Sequence, residues 1–170
     1  MDEATVQQTL HALELVYGSD TTSEQRRQAE EQCQRLRDSK AVVAYGMHFA
    51  LGAYGAAAQH FGLQLLEHAI RQRWSSGGVS SDDSSSGRVT FGHGLAIRDG
   101  LWPLMLASGE LAGFVREKLV AVVVMLVLRM WPSVQWADLS TQMLRLHVMG
   151  GPQAEMAQRV WQTLGEEMFV

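Results

Sequence analysis

From Ala58 to Trp74 the chain sets Leu63, Leu66, Ile70 and Trp74 at helical spacing without a single proline. His60, Gln64, Glu67 and Arg71 repeat with the same period on a second, polar stripe. A helix of this kind has one apolar face to bury, so it needs another element against it. The rest of the chain supplies more helices of the same type. Sheet-forming alternation of apolar and polar residues is missing between them.

The first periodic segment runs from Ala4 to Tyr17, with Val6, Leu10, Leu13 and Tyr17 on one stripe and Gly18 at the helix exit. Thr22 or Ser23 caps a second helix reaching Arg37, whose narrow apolar face is Ala29, Cys33 and Leu36. A third helix spans Lys40 to Tyr54, and the fourth is the Ala58–Trp74 segment. Ser75 to Thr90 is almost all Ser, Gly and Asp, with too little apolar surface to offset its ordering entropy, and reads as a flexible insertion. Helices resume over Phe91–Ala107, irregular near Gly100 and Pro103, and over Ala112–Met130, closed by Trp131-Pro132. Val134–Met149 and Gln153–Phe169 form a last pair around Gly150-Gly151-Pro152.

The second helix of each pair therefore starts near Glu24, Ala58, Gly113 and Gln153. With the Ser/Gly insertion set aside, the later intervals are close to 40 residues, the period of a HEAT-type repeat. The expected fold is all-α, a superhelical solenoid of about four antiparallel helix pairs. Solenoid repeats cover one another's apolar faces. At the last pair this leaves Val160, Trp161, Leu164 and Met168 as an expected apolar end surface. Trp74, Trp131 and Trp136 read as packing anchors, and Gly62 as a point of close helix approach.

Composition narrows the function classes. Net charge is −4, so nothing global attracts the chain to a nucleic-acid backbone. Cys33 is the only cysteine, which excludes an internal disulfide and reads as a small buried hydrophobe. The longest apolar run, Leu119–Leu128, rises only about 15 Å as a helix, half a hydrocarbon core, so no membrane insertion is expected. His60 and His68 are about 12 Å apart along one helix, too far to share a metal ion. Asp82 and Asp83 have no surroundings to perturb them, and no nucleophile elbow or phosphate loop is present. No catalytic, cofactor or metal residues are assigned. The charges around Arg26, Arg27, Arg35, Arg37 and Lys40 alternate with Glu24, Glu30, Glu31 and Asp38, the pattern of a solvated helix face, with an RNA or acidic-partner contact as the other reading.

Three stretches carry a resemblance. Glu24-Gln25-Arg26-Arg27-Gln28-Ala29-Glu30 looks like the first inner helix of the karyopherin-β receptors (importin-β and exportins). His60-Phe61-Gly62-Leu63-Gln64-Leu65-Leu66-Glu67-His68, with Ile70 and Arg73-Trp74, is similar to the second inner helix of the exportin-five branch. Phe114-Val115-Arg116-Glu117-Lys118-Leu119, followed by Arg129 to Trp136, resembles the third inner helix and its exit. The order and spacing of all three agree with the family. Ala137 departs from it, standing where the family often has a second proline.

The resemblance implies that residues 1–170 are an importin-β N-terminal-like HEAT segment of a longer receptor that shuttles between nucleus and cytoplasm. It implies binding of the small GTPase Ran in its GTP form, RNA or protein cargo, and contact with nuclear pore proteins. Arg26, Glu30, Gln64, Glu67, Arg71 and Lys118 are the residues expected at the Ran contact, on the inner helices. Exchanging the charges of Glu67 and Arg71 is expected to leave stability nearly unchanged. A helical-repeat scaffold for some other protein, not tied to Ran, remains the alternative.

Overall fold

The computed structural model describes residues 2–75, 87–130 and 138–168. Its elements are α1 (Glu3–Tyr17), α2 (Ser23–Asp38), α3 (Val42–Leu51), α4 (Ala56–Arg73), α5 (Phe91–Leu106), α6 (Gly113–Met130), α7 (Leu139–Met149) and α8 (Gly151–Met168). A short 3₁₀ turn, Ser108–Glu110, joins α5 to α6. The described residues form no sheet; their one extended pairing is a parallel bridge between Trp74 and Val89. The expected all-α architecture of consecutive helix pairs is what the chain adopts.

Local chemistry explains the helix starts. The Asp2 carboxylate accepts the backbone N–H groups of Ala4 and Thr5 at the head of α1. Thr22 and Gln25 form a reciprocal capping box on α2, and Thr90 and His93 do the same on α5. Chain breaks follow from backbone demands as well. Gly55 takes φ 91° ahead of α4, a conformation that few other residues adopt. α3 is shorter than the periodicity suggested because it stops at Gly52. α8 starts inside the Gly-Gly-Pro break, since Pro152 falls in the first turn, where a missing N–H costs no helix bond. α5 passes through Pro103 and carries on to Leu106.

Each odd-numbered helix packs on the helix that follows it. α4 in turn packs on α6, and α6 on α8, so the even-numbered helices form one layer. α6 is apolar almost all round (Val115, Leu119, Val120, Val122, Val123, Val124, Leu126, Val127 and Met130 are buried) because it has neighbours on both flanks. The core falls into two adjoining clusters. One gathers α1, α2 and the facing sides of α3 and α4; the other runs from α3 and α4 to α8.

Among the described residues, the most extensive contact between two helices is that of α3 with α4. A Cβ built on Gly62 would abut the Ala50 backbone nitrogen and come within 2.6 Å of the Gly46 carbonyl oxygen and 2.9 Å of Ala50 Cα. A Cβ on Gly46 would sit 2.8 Å from the Leu66 side chain. Two glycines thus let the backbones cross at a distance no side chain would permit.

At the other end of α4, Arg73 donates to the carbonyl oxygens of Arg37 and Ser39, at 2.6 Å each. These are carbonyls at the C-terminal end of α2, so one guanidinium ties the first pair to the second.

Three expectations need adjustment. The segment 75–90 is not unstructured throughout. Residues 76–86 lie outside the described residues, but Ser75 donates to the Val89 carbonyl, Val89 donates to that of Arg73, and the Val89 side chain is fully buried. The apolar valine near the end of a polar stretch is what gets packed. Of the expected end surface, Val160 and Leu164 are buried, because they face the rest of the stack, whereas Trp161 and Met168 are exposed. Of the three anchoring tryptophans, Trp74 is partly buried against Gly94; Trp131 and Trp136 lie outside the described residues.

Candidate partner-binding face

The polar stripe of α4 runs alongside the layer of even-numbered helices. Gln64, Glu67 and Arg71 line one open groove together with Arg37 of α2, His68 and Gln72 of α4, and Lys118 of α6. Four of the six residues singled out by sequence therefore meet here. Glu30 lies in the neighbouring groove of about 450 Å³ between α1, α2 and α4, which Gln64 also borders. Arg26 enters neither groove. It sits one turn earlier on α2, exposed, with its guanidinium 3.5 Å from the Gly18 carbonyl oxygen.

Glu67 organises the main groove. Its carboxylate accepts from Lys118 Nζ at 2.8 Å and from Arg71 Nη2 at 3.3 Å. The Glu67 and Lys118 side chains retain only 20% and 25% of their exposure, while Arg71 keeps 60%. The first pair is an inter-helix tie within the second and third repeats, and the second is an i,i+4 surface pair. Glu67 is thus partly committed inside the molecule. The expectation that exchanging the Glu67 and Arg71 charges leaves stability nearly unchanged is revised accordingly, since Glu67→Arg would set two cations, at positions 67 and 118, against each other.

That tie can be measured. Lys118→Met should cost about 1–2 kcal/mol, between the small worth of an exposed pair and the larger penalty of stranding a fully buried charge. Arg71→Met should cost well under 1 kcal/mol. Urea unfolding of the two variants checks the ordering, and equal losses would contradict it.

Sequence reading missed Arg37, His68 and Gln72. His68 stands four residues after Gln64, and Arg37 seven after Glu30, so both were within reach of the same helical spacing. Arg37 reads in the sequence as one of the alternating charges of a solvated face of α2, and His68 is weighed there as a metal ligand with His60, so neither is joined to the α4 stripe. His60 packs edge-on against the Phe114 ring of α6 at 5.3 Å, serving the α4–α6 contact rather than the open groove. Burial lowers the pKa of both His60 and His68 below the ordinary histidine value, and neighbouring cations push the same way: Lys118 for His60, Arg73 and Arg37 for His68.

Cys33 is buried at the edge of the neighbouring groove, and burial raises its thiol pKa, against a smaller opposing pull from Arg37. Among the described residues no group of three or more His, Cys, Asp or Glu could hold a metal ion, and no helix is long and apolar enough to cross a membrane.

No protein-family model matches the chain. It is similar along almost its whole length to three curated proteins. With Exportin-5 of Homo sapiens it is 24% identical over 97% of the chain and 13% of that protein. With Exportin-5 of Mus musculus it is 23% identical over the same shares. With Protein MSN5 of Saccharomyces cerevisiae it is 22% identical over 100% of the chain and 14% of that protein. The chain thus spans about one eighth of the length of these relatives. It is a distant homologue of the N-terminal region of these karyopherin-β proteins.

Proposed function

We propose that the chain is the N-terminal Ran-binding segment of a nuclear transport receptor of the exportin type. The observation that carries this is the homology with Exportin-5 and Protein MSN5, which runs through all four helix pairs. In this reading the layer α2–α4–α6 meets the GTPase. Gln64, Glu67, Arg71 and Lys118 are the central contacts, Glu30 borders the site and Arg26 extends it along α2. The Glu67–Lys118 tie holds α4 against α6, so the contacting side chains are presented on a preset surface rather than ordered on binding. The receptor would shuttle between nucleus and cytoplasm, carrying RNA or protein cargo and touching nuclear pore proteins along the way.

The face carries charged side chains at a solvent-exposed rim, which favours an interaction tuned by charge and salt. The test is binding of the chain, alone and within a longer receptor chain, to Ran loaded with GTP or GDP. The reading predicts at least a tenfold preference for the GTP form, about 1.4 kcal/mol. Equal binding to both forms, or none by the longer chain, would favour a helical-repeat scaffold for another protein.

A further inference from the structure

The C-terminal ends of α2 and α4 meet at another open groove, of about 660 Å³, whose charged lining is Asp38, Lys40, Arg73 and Arg88. Gln72 borders both this groove and the one that holds Glu67. Three cations thus face one carboxylate, and the Asp38 oxygens already accept from the Gln34 amide at 3.2 Å each. Arg73 is committed to the Arg37 and Ser39 carbonyls. Lys40 and Arg88 are exposed, and among the described residues neither has an ion pair or a side-chain hydrogen bond.

The backbone holds these two cations together. Gly87, at φ 68°, lies so close to Lys40 that a Cβ built on it would stand 3.1 Å from the lysine Cα. Val89 is pinned by hydrogen bonds to the backbones of Arg73 and Ser75. Arg88, between Gly87 and Val89, is therefore fixed at its backbone beside Lys40. The dipole of α2 favours a cation at Lys40, just past the helix end, but Arg88 belongs to no helix. In a chain of net charge −4, this excess is a segregation of charge and not a reflection of composition.

We infer that the groove at the ends of α2 and α4 binds an acidic segment of a protein partner, whose carboxylates meet Lys40 and Arg88 with Arg73 behind them. Two features favour a peptide over a nucleic acid. Asp38 stands inside the groove and Glu67 in the adjoining one, so a backbone charged at every phosphate would have to pass carboxylates. A peptide can set neutral residues opposite them. Bases would also find no stacking platform, since Trp74 is the only aromatic residue of the lining and its ring packs against Gly94. The inference does not rest on the GTPase reading, because Lys40 and Arg88 lie outside that contact set.

The probe is a short synthetic peptide of glutamates spaced by glycine and serine, titrated into the intact chain by fluorescence anisotropy. Its counterparts are the same peptide with glutamine for glutamate and a hairpin RNA. The glutamate peptide should bind with an affinity that falls as salt rises, and the glutamine peptide about tenfold more weakly. Lys40→Glu and Arg88→Glu should each weaken binding about tenfold. Arg145→Glu, exposed on α7, changes the net charge by the same amount and should leave binding nearly unchanged. All three positions are exposed, so the fold should survive, and circular dichroism checks that it does. Equal binding of the two peptides, equal losses in all three variants, or tighter binding of the RNA would overturn the inference. So would binding that appears only after Asp82→Asn with Asp83→Asn, which would assign the groove to the chain's own acids. Peptide binding is measured without the GTPase, and Gln64, Glu67, Arg71 and Lys118 are intact in every variant, so this inference and the GTPase reading fail separately.

Discussion

Gly62→Ala should destabilise the fold by about 2–3 kcal/mol in urea unfolding, near the upper end of what one added methyl does in a packed interior. The size follows from what the methyl would meet. Its neighbours are the Ala50 nitrogen and Cα and the Gly46 carbonyl of α3, all of them backbone, so no side-chain rotation relieves the clash. Alanine's better helix propensity returns up to about 1 kcal/mol and does not close the gap. Gly165 is the matching control. It lies inside α8, and a Cβ there meets nothing within 4 Å, so Gly165→Ala should stabilise by about 0.5–1 kcal/mol. The same substitution with opposite sign at two helical glycines isolates the helix crossing from propensity. A neutral Gly62→Ala would show that α3 and α4 can move apart freely.

Arg73→Ala should cost about 2–3 kcal/mol, from two charge-assisted hydrogen bonds worth about 1.5 kcal/mol each or somewhat less together. Losing them takes the guanidinium from both carbonyls at the end of α2, where the Ser39 oxygen keeps only the Val42 N–H at 3.2 Å. Arg73→Lys should recover only part of the loss, because an ammonium lacks the planar fork that reaches both oxygens at once. Thermal or urea unfolding of the two variants gives the comparison. Full recovery by lysine would reduce the role of Arg73 to its charge.

These two residues also mark what could and could not be read in the sequence. Helical periodicity set out the eight helices and their pairing, and it identified the buried stripe Leu63, Leu66 and Ile70, each of which is fully buried. Gly62 stood out as a glycine inside the clearest helix, and that signal led to a real backbone crossing. Arg73 gave no signal of its function, because its partners are carbonyls of residues more than thirty positions earlier and a carbonyl leaves no trace in side-chain pattern. The same limit applies to the polar stripe. Spacing put Gln64, Glu67 and Arg71 on one face, but only the packing of α4 on α6 brings Lys118 to Glu67 and turns a surface carboxylate into an inter-helix tie. Arg26 was grouped with them by sequence resemblance, and the α2 geometry leaves it a turn outside the grooves. Val160 and Leu164 were read as end-surface residues because spacing cannot say which of two apolar stripes on α8 is covered. α6 covers the one they occupy.

In the proposed reading the layer α2–α4–α6 is the face that meets Ran in its GTP form. Amide hydrogen exchange of the chain within a longer receptor, with and without Ran-GTP, is the decisive experiment. Slowed exchange is expected in α2 and α4 and in the first turns of α6, around Glu30, Gln64, Glu67, Arg71 and Lys118, with little change in α3, α5 and α7. Protection confined to the odd-numbered helices, or none in this segment when the GTPase is bound, would contradict it.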